Sequence, residues 1–535
     1  MNSDHVNFWI RDGCNRISGY SHIQQGRKRI WSLFLILLVS ALLFGQDVPK
    51  TGKKKIEVLH SNEGIDEVEK STGRRLTRLI GDVSLKDDDV LMYCDSAHFY
   101  TGNNQIKAFG RIFMQQGDTL SLRGDSLFYD GTTQKASVDG NVILMDRETK
   151  LYTNSVKYDV KDKIATYTNH GKIINGDNTL SSIIGIYYSP QNLFNFKDSV
   201  KIINPDYTMT ADTMDYNTKT ETAFFIGPSE LEGDSLYLYC EKGWYDTKND
   251  ISYIWKNALI NNRQQVITGD SLYYNGTTGY GQSFRNTTIT DTTNNIILKG
   301  NYAWYYKNPE RFLVTDQALF IQVSDKDSLF LHADTISAVT VTDSTLLNYR
   351  LMRAFHGCRI FSNDLQAKCD SLSYSFRDSV IRLYTSPVIW SKENQLTSDS
   401  MALFTKNRQA ERLELYNTAF VASQIDRNRF NQIKGRSLNG YFRDNELYKI
   451  DIEGNGETIY YLLDGDKIVG INEARCARIE IRVNDGKIEG ITEFQNPEGN
   501  IYPPLEAKPE SLILEGFAWY ENIRPLKKSD IFIKK

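Results

Sequence analysis

Polar and apolar residues alternate along most of the chain in short runs that share one phrase: Asp, Ser or Thr, an apolar residue, any residue, Tyr. GDSLFYD occupies Gly124–Asp130, GDSLYYN Gly269–Asn275, ADTMDYN Ala211–Asn217 and CDSLSYS Cys369–Ser375. Looser copies are CDSAHFY from Cys94, TNSVKYD from Thr153, CEKGWYD from Cys240 and GNYAWYY from Gly300. Successive side chains of a strand point to opposite faces, so the apolar residue and the Tyr two places later share one face. After a turn such as DGTTQ (Asp130–Gln134) comes a second alternating run, ASVDGNVILM from Ala136, with counterparts from Ile106, Ala223, Ile251 and Leu413. A Gly or Asn near the middle of that run marks a bend. The pattern predicts strand, turn, bent strand, and then the same again. No stretch of the body shows the 3.6-residue period of an amphipathic helix.

With the residue after each Asp as an anchor, the series runs Ser96, Ser126, Ser155, Gly185, Thr213, Lys242, Ser271, Tyr302, Thr335, Ser371, Ser400 and Ser437. The first seven intervals are 30, 29, 30, 28, 29, 29 and 31 residues; the later ones, 33, 36, 29 and 37, read as loop insertions. A unit of about 29 residues cannot bury its apolar face alone, so units must stack on one another. Stacking aligns Phe99, Tyr129, Tyr158, Tyr188, Tyr216, Tyr245, Tyr274, Tyr305 and Tyr374 in an aromatic ladder. Beside them run Ala97, Leu127, Val156, Ile186, Met214, Leu272, Ala303 and Leu372. These residues are expected to line the interior. The Asp and Ser are expected at the strand's entry, where short polar side chains bond local backbone. With two rungs per unit and roughly 4.8 Å between rungs, the body is one all-β stack on the order of 100 Å long.

Composition narrows the class. The chain has 535 residues, 63 basic and 67 acidic, and a net charge of −4. That offers no basic footprint for nucleic acid. A 40% apolar fraction excludes a disordered chain. Six cysteines exclude a disulfide-dense scaffold. Ile30–Phe44 is an uncharged apolar run preceded by Arg27, Lys28 and Arg29 and followed by Gly45. It has the form of a secretory signal cleaved near Gly45, with an uncleaved inner-membrane anchor at 30–44 as the other reading. Export leaves Cys94, Cys240, Cys358, Cys369 and Cys476, of which Cys358 and Cys369 are the only close pair; buried free thiols or one disulfide both fit.

The GDSLFYD phrase, the Gly-centred strand after it and the 29-residue rhythm resemble the organic-solvent-tolerance (OstA-like) family over about residues 56–460. That family comprises periplasmic lipopolysaccharide-transport proteins and the amino-terminal domain of the outer-membrane lipopolysaccharide assembly protein. The carboxyl-terminal ARIEIRVNDGKIEGI, NPEGNIYPP and GFAWYENIRP resemble the long OstA-like proteins of Bacteroidetes. The resemblance implies a repeat-built β-jelly-roll, or "β-taco", of stacked bent strands. Its open apolar groove holds the lipid A acyl chains of lipopolysaccharide in the periplasm. It implies no catalytic residue and no cofactor. The groove-lining candidates are Phe99, Leu127, Tyr129, Val156, Tyr158, Ile186, Tyr188, Met214, Tyr216, Tyr245, Leu272, Tyr274, Tyr305, Leu372 and Tyr374. Partners implied are lipopolysaccharide and other transport proteins, joined by strand addition at open sheet edges, one of them near Ile56. No counterpart of the outer-membrane member's barrel is expected in the roughly 75 residues after Tyr460.

Enzyme signatures are weak. His356 and Cys358 form an H-x-C pair with no second pair at zinc spacing. The recurrent Asp residues lack a calcium-loop pattern. Asp125 and Asp270 could be paired acids of a polysaccharide enzyme, but recurrence in nearly every unit points to a structural role. Lys53, Lys54 and Lys55 read as a solvated run. Asp-Ser/Thr-apolar also resembles a Bacteroidetes O-glycosylation sequon, with Ser126 or Ser271 as acceptor. The expected divisions are a leader (1–45), a basic linker (46–55), regular repeats (56–345), repeats with insertions (346–460) and a carboxyl-terminal segment (461–535) that caps an end or binds a partner. The alternative function is an exported β-solenoid that binds glycan or acts as an adhesin.

Overall fold

In the computed structural model the alternating pattern forms strands from one end of the body to the other. The structure describes residues 55–533 except 71, 325–326, 343–346, 407–408, 444–445, 466, 485–486 and 505–511. The leader, with its expected signal or anchor at 30–44, and Lys53 and Lys54 lie outside the described residues. Strands Arg75–Asp87, Val90–Tyr100, Gln105–Gln116, Leu120–Asp130, Lys135–Asp146 and Thr149–Asp159 each pair antiparallel with the next. The same meander carries through to Lys467–Asn484, with two short strands on its last edge. Apart from short 3₁₀ turns, every element of the described residues is a strand. The architecture is an elongated β-jelly-roll of stacked bent strands.

Strands such as Gln105–Gln116, Leu120–Asp130, Lys135–Asp146 and Thr149–Asp159 run 11 or 12 residues, longer than the phrase, because each crosses two facing walls. The bend between walls is a bulge that recurs in alternate strands, in most units built from two consecutive residues in the left-handed region. Gly110 and Arg111 have φ of 76° and 40°, Gly140 and Asn141 82° and 46°, Lys256 and Asn257 63° and 58°, and Arg285 and Asn286 56° and 49°. Gly and Asn tolerate that region, which explains the Gly-Asn at mid-strand.

The phrase's Asp corrects one expectation. Asp125 does not open a strand; it sits mid-strand in Leu120–Asp130, opposite the bend. Its carboxylate accepts a hydrogen bond from Asn141 Nδ2 at 2.8 Å. Asp95 takes one from Arg111 at 2.7 Å, Glu241 from Asn257 at 2.6 Å, Asp270 from Asn286 at 2.9 Å and Asp399 from Thr418 at 2.8 Å. In these five units the acid therefore fastens the bend to the segment before it.

The hairpin tips of one wall are stitched together by backbone bonds, Gly131 N to Asn104 O (2.9 Å), Val160 N to Gln134 O (2.9 Å) and Thr218 N to Asn192 O (2.9 Å). Between the walls, one apolar core runs from Ile56 to Leu272 and a second from Leu298 to Val483. Strands Glu446–Asp464 and Lys467–Asn484 continue the sheet, so position 460/461 falls inside a strand. Beyond Leu512 the chain turns back along the outer face of the other wall. There Leu514 packs with Phe420 and Ile459, and Ile531 with Leu319 and Ile321.

Candidate functional site

Strand register sets the interior. Tyr129 pairs with Ala136, Ala136 with Tyr158, and Tyr158 with Ala165. The line continues through Tyr187, Phe194, Tyr216, Ala223, Tyr245, Ser252, Tyr274, Gly281 and Tyr305. Except at Phe194, which stacks on Tyr187 with ring centroids 4.2 Å apart, large rings alternate with small residues of the intervening strands, which leaves each ring room beside its neighbours.

One repeat departs from the expected ladder. Tyr187, not Tyr188, is the buried ring, and Ile186 and Tyr188 are only half-buried. A one-residue shift turns every side chain to the other face. Anchoring this unit on Ile184 instead of Gly185 makes both flanking intervals 29 residues. Leu127, Tyr129, Val156, Tyr158, Met214, Tyr216, Tyr245, Leu272 and Leu372 are buried. Phe99, Tyr274 and Tyr374 are half-buried against the same cores, and Tyr305 is half-buried.

The buried tyrosines end in hydrogen bonds that cross the interior. Tyr129 Oη donates to Asp87 Oδ2 at 2.5 Å, Tyr158 to Gln116 Oε1 at 2.5 Å and Tyr187 to Asp146 Oδ2 at 2.9 Å. Tyr216 Oη accepts from Asn178 Nδ2 at 3.1 Å and lies 3.5 Å from Asn175 Oδ1. Asp87, Gln116, Asp146 and Asn175 each end a strand on the opposite wall, so every bond joins two hairpin tips and latches the mouth between the walls. Burial first, with carboxylates nearby, pushes the Tyr129, Tyr158 and Tyr187 hydroxyls well above their ordinary range and keeps them as donors.

The latch ends where its partner is lost. Tyr245 bonds to Asp250 on its own wall at 2.8 Å. The tip position that recurs about every 29 residues falls next at Asn204, whose amide donates to Asn178 Oδ1 at 3.0 Å, and then at Gly233, which has no side chain to offer Tyr274. Among the described residues neither Tyr274 nor Tyr305 has a hydrogen bond across the interior. There the walls part around a cavity of about 320 Å³. Leu236, Ile260, Ile267, Leu272, Tyr274, Ile289, Ala303 and Tyr305 line it, with Ser235, Asn262, Gln264 and Lys307 at its rim. A smaller space of about 60 Å³ shares Ile267, Ile289 and Tyr305 and extends to Phe312, Phe320 and Met352. The gap between the two apolar cores falls at this opening. Of the predicted lining residues, Leu272, Tyr274 and Tyr305 meet here; Ile186 and Tyr188 fall on the other face, and the rest belong to or pack against the two apolar cores.

The tip residues and the aliphatic side of the cavity escaped the sequence reading. Their signal was a polar residue closing each second-half strand at the same 29-residue rhythm. Cys358 and Cys369 stand directly opposite each other across two strands, both buried and both free thiols. His356 Nδ1 lies 3.3 Å from Asp370 Oδ2 at an exposed bend.

No curated protein matches the chain. Among solved structures, a similar one is the crystal structure of LptH from Pseudomonas aeruginosa, described as the LptA homologous periplasmic component of the conserved lipopolysaccharide transport device. The match has 17% identity and a TM-score of 0.14, over 25% of this chain and 79% of that one. Residues 53–212 and 228–321 match the family model described as OstA-like protein. Over those residues the chain belongs to the OstA-like family.

Proposed function

We propose that this protein is a non-enzymatic periplasmic component of lipopolysaccharide transport that holds acyl chains in the unlatched cavity and helps bridge their passage to the outer membrane. The observation that carries this reading is the cavity itself: an aliphatic and aromatic trough that opens where Gly233 removes the latch from Tyr274. Each methylene moved from water into it contributes about 0.8 kcal/mol. The mixed rim of Ser235, Asn262, Gln264 and Lys307 suits the junction between acyl chain and polar head. Family membership supports the class of cargo.

Both ends of the sheet favour assembly. Glu57–His60 and Glu63–Val68 pair on one side only, as do Lys487–Phe494 and Glu498–Tyr502. Val58, Leu59 and Ile501 are exposed on these edges. Neighbouring transport proteins would join there by strand addition. Ile56 is itself buried, its amide bonded to Asn104 Oδ1 at 3.0 Å, so Val58 and Leu59 are the edge positions to probe.

Photo-cross-linking in cells tests the site. A photoreactive residue at Tyr274 or Tyr305 should capture lipopolysaccharide, and one at Tyr129 or Tyr216 should not. Capture at outward positions alone, or equal capture at all four, would sink the reading.

A further inference from the structure

The outer face of the wall that carries Leu272, Tyr274 and Tyr305 holds a second feature. Register sets Phe224, Trp244, Tyr253, Tyr273, Gln282 and Trp304 in one straight row over six successive strands. None of the six is buried, and Phe224 is 39% exposed. A parallel row two residues along holds Trp255, Ser271, Phe284 and Tyr302. The rings are tipped with hydrogen-bonding groups: Tyr253 Oη donates to Ser271 Oγ at 3.2 Å, and Gln282 Nε2 donates to Tyr302 Oη at 2.8 Å. Over the same six strands the second row begins with Ile226 and Lys242, and Leu313 follows Trp304 in the first, so aromatic and polar side chains predominate with a single exposed aliphatic one, Ile226, in twelve positions.

Aromatic rings give flat apolar faces with polar edges. A buried protein interface would fill such rows with more aliphatic anchors than Ile226 alone, and a phosphate site would need a basic cluster where these rows hold one lysine, Lys242. What these rows match is a sugar, whose C–H face stacks on a ring while its hydroxyls bond to amides and hydroxyls at the edge. Strands repeat at roughly 4.8 Å, close to the advance of one sugar in an extended chain. The platform is also continuous with the cavity, since Tyr273, Gln282 and Trp304 border both.

We infer that the outer aromatic rows are a saccharide-binding platform, and that their occupant is the sugar portion of the same amphiphile whose acyl chains fill the cavity. This rests on the transport reading for the identity of the occupant, not for the existence of the platform. It gives the lipid two holds on one set of strands, tails inside and sugars over the rim.

The test uses the full chain, a deacylated lipopolysaccharide saccharide and a fluorescent acyl probe. The saccharide should bind, read by tryptophan fluorescence and calorimetry. Trp244→Ala with Tyr253→Ala, neither of which lines the cavity, should weaken saccharide binding about ten-fold, the effect of losing two aromatic contacts. Acyl-probe affinity should stay within about two-fold. Phe224→Ser, at an exposed position, is the second variant should the double one misfold. Saccharide binding that is absent from the wild type, or unmoved by either variant, overturns the platform. An unrelated neutral polysaccharide binding as tightly as the lipopolysaccharide sugar overturns the assigned occupant. Gly281→Leu separates the two readings: an acyl probe indifferent to it counts against the cavity alone.

Discussion

Asn141 Nδ2 donates to Asp125 Oδ2 across 2.8 Å, joining the left-handed bend of one strand to the recurring acid of the strand before it. Gly140, beside it, has a φ of 82°, and a Cβ there would lie 2.4 Å from Asp125 Oδ2. Two costs therefore meet at Gly140→Ala, left-handed backbone for a residue with a Cβ and displacement of the carboxylate. The substitution should destabilise by about 2 kcal/mol. Asn141→Ala loses one solvent-exposed bond and should cost no more than about 1 kcal/mol. Thermal unfolding midpoints of the two variants, with Asp125→Ala to close a double-mutant cycle, check the order. Equal effects would mean that strain at the bend does not matter.

Tyr158 and Tyr274 occupy equivalent ladder positions with different partners. Tyr158→Phe leaves buried Gln116 Oε1 without the donor it has at 2.5 Å, which should cost about 1–3 kcal/mol. Tyr274→Phe removes a hydroxyl that makes no bond across the interior and should stay within about 0.5 kcal/mol. Urea unfolding followed by circular dichroism distinguishes them. A Tyr274→Phe effect as large as that of Tyr158→Phe would contradict the latch account.

The contrast shows how far the chain could be read in advance. Rings every 29 residues were legible because pleating ties the apolar residue and the Tyr of each phrase to one face, and the all-β stack followed from them. The opening was not legible, because it depends on what stands 41 or 42 residues earlier on the facing wall, where Gly233 takes the place of Gln116 or Asp146. The slip from Tyr188 to Tyr187 shows the other limit. A unit reading IGIYY offers two tyrosines, and only the pairing of Tyr187 with Ala165 and Phe194 decides between them. The Asp of the phrase was misplaced because a phrase half as long as its strand does not show where the strand begins.

Alkaline pH should undo the interior. Burial raises the Tyr129, Tyr158, Tyr187, Tyr216 and Tyr245 hydroxyls above the ordinary value of 10.0, and pushes Tyr167 up to about 12. A folded-state value above the unfolded one means that the folded form holds its proton more tightly. The stabilisation is complete below pH 10 and is lost as pH climbs toward the folded values, at about 1.4 kcal/mol per unit for each group. Strand circular dichroism should therefore collapse above pH 10 in step with the rise of tyrosinate absorbance. Full tyrosinate absorbance with the strands intact would refute buried, bonded hydroxyls.

Three buried glutamines hold the returning carboxyl-terminal segment. Gln432 accepts from Leu514 N and donates to Leu512 O, both at 2.9 Å. Gln395 accepts from Tyr520 N at 2.7 Å and donates to Ala518 O at 2.8 Å. Gln366 Oε1 takes Arg524 Nε at 2.9 Å and Nη2 at 2.7 Å. Removing residues 512–535 should bare Leu319, Ile321 and Phe420 and turn the protein toward aggregation, measured by light scattering. Gln395→Ala should leave the strands in place while hydrogen exchange at Tyr520 quickens by about ten-fold or more, the loss of roughly 1–2 kcal/mol of local protection. Unchanged exchange would show that apolar contacts alone seat the segment.

Gly281 lies between Tyr274 and Tyr305 in the ladder and leaves the gap that the cavity fills. A Cβ there would meet only Tyr273 O at 3.6 Å and Tyr274 Cδ2 at 3.7 Å, ordinary contact distances, and the backbone is not left-handed. A larger side chain therefore has room to grow into the space. Gly281→Leu should keep or slightly raise the unfolding midpoint, since a strand gains a side chain and loses a flexible residue. By occupying the trough it should weaken acyl-probe binding about ten-fold or more, the equivalent of two displaced methylenes. Fluorescence titration beside a melting curve measures both effects on one sample. A variant that melts earlier and binds less would only be damaged. Stability gained together with binding lost is the outcome that a filled lipid trough requires.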